Sequence, residues 1–263
     1  MRRLVVNADD FGFTRGVNAG IVDAHTRGIL TATTLMANGP AFEDAVARAR
    51  EIASLDIGIH GVLVQGPGLP DSVAGLVQAL FLKRINPYEE LKRQAARVLD
   101  AGLRPTHIDT HKHTHLLPPV LEALARVAEE TAIGWVRRPM DLPLTRAAAR
   151  VPWTQRAVGR ALHLARRRFH GVLQRRGLRT TDWFAGFQLT GHLHPAALTE
   201  VIRGLPEGVT EFMCHPGYCT DELLAARTRL KESRERELEA LCSPRVREAL
   251  GEAGVALVSY RDL

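Results

Sequence analysis

Leu4-Val5-Val6-Asn7-Ala8-Asp9-Asp10-Phe11-Gly12 opens the chain with an apolar run that ends in two adjacent carboxylates and a glycine. The run predicts a buried strand, and the Asp and Gly after it predict a turn. The same pattern recurs downstream. Ile57-Gly58-Ile59 ends in His60, Thr106 to Thr110 ends in His111, and the strand predicted over Val209 to Met213 runs into Cys214-His215-Pro216-Gly217. Thr33 to Met36, Gly134 to Arg137 and Val255 to Val258 predict further strands. Segments of helical period lie between them: Val17, Ile21, Ala24 and Gly28, then 41–53, 87–101, 118–131 and 195–203. Pro87 stands where a first-turn proline is favoured. Strands alternating with helices predict parallel βαβ units. Chemically capable groups at several strand ends favour a (β/α) TIM-like barrel, an α/β fold, over a doubly wound sheet. No G-x-G-x-x-G follows the first strand, so a dinucleotide fold lacks its signature.

The 263 residues suffice for one large core, and we expect one domain over 1–263 with a helical insertion at about 142–182. Hydrophobic residues are 45% and charged residues 24%, ordinary for a globular chain. No apolar run reaches the roughly 18 residues of a membrane helix, and the first residues lack the apolar core of an export signal. A cytoplasmic protein is expected. Cys214, Cys219 and Cys242 form no C-x-x-C pair and read as reduced structural thiols.

Asp9 and Asp10 follow one another on an extended chain whose side chains alternate, so each can serve a different partner. One can bind a cation while the other takes a proton. His107, Asp109, His111, His113 and His115 all share one parity, about 6.6 Å apart from one to the next in an extended chain. The other parity holds Ile108, Thr110, Lys112 and Thr114, so neither face reads as core. Imidazole is the commonest nitrogen ligand, and not every histidine here can reach one ion. Arg137, at the end of the fifth strand, is expected at the same face.

Asn7-Ala8-Asp9-Asp10-Phe11-Gly12, Gly58-Ile59-His60, Thr106 to His115 and Cys214-His215-Pro216-Gly217 together resemble the YdjC-like carbohydrate deacetylases. That family includes chitooligosaccharide deacetylase and hopanoid-biosynthesis branches. The motifs occur in the family's order over most of the chain, while 142–187 matches nothing in it. The resemblance implies a distorted (β/α) barrel, a single divalent metal and hydrolysis of an N-acetyl group on an amino sugar. It implies Asp10, His60 and His111 as metal ligands, Asp9 as general base and His215 as the acid that protonates the leaving amine. His107, Asp109, His115 and Arg137 are expected to contact substrate. Two imidazoles and a carboxylate suit zinc, iron, cobalt or nickel better than magnesium, while the family brings magnesium in; the expected cofactor is one Mg2+ or Zn2+. A homodimer is also implied.

The net charge is +6, yet ten arginines and no acid lie between Arg146 and Arg179, so the rest of the chain is net acidic. Val158, Leu162, Ala165, Phe169, Val172 and Leu173 recur there at three- and four-residue steps, predicting a basic amphipathic helix. Such a helix either packs on the barrel with a solvated basic face or lies on an anionic membrane, which would make the protein peripheral at the inner membrane. Two other readings compete: a membrane- or polyanion-binding protein acting through 146–179, and a different metal enzyme on the same residues, either another hydrolase or a non-haem iron oxygenase built on His107 and Asp109. The first leaves the strand-end motifs unexplained, and the βα alternation opposes the oxygenase. Nucleic-acid binding is not expected.

Overall fold

The computed structural model describes residues 1–143 and 151–263. The strands are β1 (Arg2–Phe11), β2 (Ala32–Leu35), β3 (Asp56–Gly61), β4 (His107–Thr110), β5 (Trp135–Val136), β6 (Trp183–Ala185), β7 (Gly208–Cys214) and β8 (Val255–Leu257). The helices are α1 (Arg15–Thr26), α2 (Phe42–Glu51), α3 (Val73–Phe81), α4 (Pro87–Asp100), α5 (Pro118–Glu130) and α6 (Trp153–Leu162). They continue as α7 (Arg166–Arg175), α8 (Pro195–Arg203), α9 (Asp221–Ala225), α10 (Ser233–Cys242) and α11 (Pro244–Glu252).

All paired strands are parallel, in the order β5-β4-β3-β2-β1-β7-β6. The curled sheet nearly closes, because single bridges join Trp135 to Arg179 and Asp141 to Phe184. The fold is therefore a distorted α/β barrel. β8 adds a second distortion: it pairs Arg2 to Leu4 of β1, along the edge that β2 takes over from Asn7 onward. Both faces of β1 are covered, which is why Leu4 to Val6 reads as a continuous apolar run. Prolines begin α4, α5, α8 and α11, where a missing N–H costs nothing. In α5, Val120, Leu121, Leu124, Val127 and Ala128 form the buried stripe.

Two expectations change. β4 stops at Thr110, and the backbone of Lys112 and His113 turns left-handed (φ 55° and 52°). The alternating parity therefore fails beyond His111, and His113 and His115 are placed by a turn rather than by a strand face. Nor is the basic segment one amphipathic helix. Arg146 and Arg150 lie outside the described residues; beyond them a 3-10 turn at His163–Ala165 separates α6 from α7. Phe169, Val172 and Leu173 of α7 are buried, while Val158 of α6 is exposed.

Candidate active site

β1 delivers its two carboxylates through a break in its own regularity. Its register with β2 shifts between Ala8 and Phe11, and Asp10 adopts φ 70°, a conformation uncommon for a residue with a side chain. The kink overrides strict alternation, so both Asp9 and Asp10 line one cavity of about 550 Å³ at the C-terminal end of the barrel. His111 and His215 line it too, with Phe13, Met36 and Phe187 as apolar wall.

Asp10 Oδ1 is buried and has no hydrogen-bond partner among the described residues. It lies 3.5 Å from His60 Nε2 and 3.3 Å from His111 Nδ1, and those two nitrogens are 3.2 Å apart. A tetrahedral ion with bonds of about 2.05 Å needs donors roughly 3.4 Å from one another, so this triangle fits a cation of zinc's size. Asp10 Oδ2 is fixed separately by Arg234 Nη2 at 2.5 Å. Burial alone would raise the Asp10 carboxyl, but Arg234, His111 and His60 hold it well below the ordinary carboxylate range.

His60 is aimed from behind. Its Nδ1 donates to Asp109 Oδ1 at 2.6 Å, leaving Nε2 for the cavity side. Burial lowers the basicity of this imidazole, yet Asp109, Asp9 and Asp10 outweigh it and raise the pKa to about 9. Asp9, His60 and Asp109 form a second group within reach of one point. There Arg137 already supplies the positive charge, since its Nη1 contacts both carboxylates.

Asp9 receives the Arg137 fork at 2.8 and 2.7 Å. Burial opposes its ionisation, but Arg137, His60 and His215 hold the carboxyl well below its ordinary value. Asn7 Nδ2 donates to Asp9 Oδ1 at 3.2 Å. His215 Nε2 lies 3.9 Å from Asp9 Oδ2, and the His215 backbone N–H donates to Glu237 Oε2 at 2.6 Å. Burial pulls the His215 imidazole down, with Glu237, Asp9 and Asp10 partly offsetting it.

The structure gathers Asp9, Asp10, His60, His111 and His215 as one constellation. The four residues expected on substrate are elsewhere: His107, Asp109, His115 and Arg137 are all buried and none lines the cavity. The reason is packing and charge. His107 stacks on Tyr260 with ring centres 4.1 Å apart and bonds Asn7 Oδ1 at 2.8 Å. It occupies space that a Cβ at Gly58 would enter at 2.5 Å, which explains the glycine before His60. His115 bonds Thr110 Oγ1 and the Arg137 carbonyl, and burial lowers its pKa to about 4. Arg137 joins Asp9, Asp109 and Glu211, the last at 2.6 Å. Three carboxylates demand a buried guanidinium, which cannot also face solvent.

Arg234 and Glu237 escaped the sequence reading. They stand three apart on α10 and so share a face, one holding Asp10 and the other the loop of His215. Within Ser233-Arg234-Glu235-Arg236-Glu237 they look like a solvated charge run; the usable signal is that Leu238 and Leu241 lie on the same buried side. Arg227 and Arg229, which line the cavity, carry no motif, and Lys112, which also lines it, lies within the Thr106 to His115 motif without having been singled out.

A family model described as YdjC-like protein matches residues 3–252. A carbohydrate deacetylase of Geobacillus stearothermophilus is 34% identical, covering 99% of this chain and 98% of that protein. A carbohydrate deacetylase of Brevibacillus brevis is 30% identical, with 99% of each chain covered. Among solved structures, an Enterococcus faecalis protein thought to cleave cellobiose phosphate superposes with a TM-score of 0.77 at 27% identity, covering 99% of this chain and 98% of its own.

Proposed function

This chain belongs to the YdjC-like family, and from that premise we propose a metal-dependent deacetylase that hydrolyses the N-acetyl group of an amino sugar in an oligosaccharide or glycolipid. One observation carries the reading: Asp10 Oδ1, buried and unpartnered, facing two imidazole nitrogens at the floor of a cavity. Asp10, His60 and His111 would hold one divalent ion, magnesium or zinc, with the two-nitrogen, one-oxygen donor set favouring zinc. When bound, the ion lowers the pKa of water and polarises the acetyl carbonyl.

The chain's own residues do the rest. Asp9, ionised and held by Arg137, accepts the proton of the attacking water. His215 Nε2 faces the same carboxylate at 3.9 Å, one relay step from that proton, and delivers a proton to the leaving nitrogen. Asp109 orients His60, His107 orients Asn7 against Asp9, and His115 packs beneath Arg137, so these act through other residues. Lys112, Arg227, Arg229 and Phe187 supply the surfaces a sugar would meet.

Full-length coverage of deacetylase relatives supports a single barrel domain over 1–263, with 142–182 as an insertion. We place the enzyme in the cytoplasm, and as a homodimer its candidate face is α3, where Val73, Val77 and Phe81 are exposed. Among the described residues, no helix is long and apolar enough to cross a membrane.

The deciding experiment is acetate release from N-acetylglucosamine oligomers and glycolipids by metal-stripped protein resupplied with magnesium, zinc, cobalt or nickel. Asp9→Asn is expected to lose about 10²–10⁴-fold in rate while still binding metal. No release with any ion from a folded, metal-loaded protein would sink the reading.

A further inference from the structure

The segment between β5 and β6 is split by the fold into a packed half and an unpacked half. In α7, Phe169, Val172 and Leu173 are spent on the core. α6 buries only Gly159. Trp153 is 77% exposed and Leu164, just past its end, 89%; Val158 is 49% exposed. Ala157 and Ala161 are exposed as well, so Trp153, Ala157, Ala161 and Leu164 form one uncovered apolar stripe at helical steps. Arg160, Arg166, Arg167 and Arg168 are exposed around it. Among the described residues no carboxylate pairs with these four, whereas Arg175 and Arg176 of the same segment bond Glu122 and Glu129. Solvation accounts for unpaired arginines. It does not account for an exposed tryptophan and leucine in line with them.

α6 is also tied to the cavity wall. The Gln155 amide donates to the carbonyls of Phe187, Gln188 and Thr190 at 3.1, 3.1 and 3.3 Å. Phe187 and Thr190 line the cavity, so one loop separates the stripe from the candidate active site.

We propose that α6 docks the protein on an anionic lipid bilayer, with Trp153, Val158 and Leu164 among the headgroups and Arg160 and Arg166 to Arg168 on lipid phosphates. Apolar insertion flanked by cations is the physical signature of an interfacial helix. The docking does not depend on the deacetylase reading. Only the substrate class does: an N-acetylated amino sugar carried on a lipid, met by the cavity beside the membrane surface.

Full-length protein is sedimented with phosphatidylcholine vesicles, with and without phosphatidylglycerol. Binding is expected only with phosphatidylglycerol, and it weakens as salt rises. Reversal of four charges in R160E/R166E/R167E/R168E should cut vesicle affinity at least about tenfold. W153S/L164S should also lower it, and the Trp153 emission of unaltered protein should shift to the blue on binding. Both variants are expected to keep the melting temperature and acetate release from soluble oligosaccharides, but to lose release from an acetylated glycolipid in anionic vesicles. Three outcomes would overturn the proposal: no vesicle binding, equal binding to both vesicles, or binding untouched by both variants. Tight, salt-sensitive binding to duplex DNA, unaffected by W153S/L164S, would reassign the face to a polyanion. Vesicle binding that persists without acetate release from any substrate would overturn the deacetylase reading alone.

Discussion

Arg137 ties three carboxylates, from β1, β4 and β7, into one buried cluster. Removing one partner from such a cluster is costly because the others stay charged and dry. Arg137→Ala is expected to lower stability by about 3–5 kcal/mol, read as a shifted denaturant midpoint. Arg137→Lys should recover only part, since an ammonium cannot make the two-pronged contact to Asp9. An Arg137→Ala protein as stable as the parent would mean that the three carboxylates carry protons. Asp9, Asp10, His60 and His215 were legible in sequence because each stands at or just past the end of an apolar run, and His111 because it lies in a histidine-rich stretch. Arg137 was legible as a residue but not as a role. Whether an arginine after a strand points out to a ligand or inward to other strands depends on charges on other strands, here as far as 128 residues away.

At the scale of elements, the loop after β6 is held by Asp141. Its carboxylate accepts the N–H groups of Phe187 and Gln188 at 3.2 and 2.7 Å, and Phe187 is a cavity wall. Burial raises the Asp141 carboxyl from 3.8 to about 7, against those hydrogen bonds. The folded protein therefore holds a proton that the unfolded chain releases. The stability this proton contributes is complete below about pH 3.8 and is lost as pH rises through about 7. Asp141→Asn should flatten the fall of melting temperature across that window, because the amide does not titrate. An unchanged slope would place the carboxyl's pKa near that of the unfolded chain. β6 itself escaped the sequence reading: Trp183-Phe184-Ala185 is three residues long and too short to show a period. α3 was missed for the opposite reason, since Val73 to Phe81 is apolar almost throughout and has no polar face to mark a helix.

Across the whole molecule, a metal site assembled from β1, β3 and the turn after β4 links cofactor binding to folding, because these ligands converge only in the closed barrel. Zinc or cobalt at a hundredfold excess over Kd should add about 2.7 kcal/mol, or roughly 5 °C in Tm, by differential scanning calorimetry. His111→Ala should abolish the shift. At pH 7 binding should also release about one proton, since His60, with its pKa near 9, must give up its Nε2 proton to the ion. Calorimetry in buffers of different ionisation enthalpy would show it, and binding without proton release would place the ion elsewhere. The alternation of strands with helices, and the identity of the groups at the strand ends, followed from the sequence alone, because period and punctuation are local properties of a chain. The tertiary structure alone decided which of those groups meet. The kink that turns Asp9 and Asp10 to one side, the left-handed turn that leaves His113 on the cavity wall and buries His115 away from it, and the placing of Arg234 and Glu237 beneath the site all depend on contacts between residues far apart in sequence. No local pattern encodes such a distance.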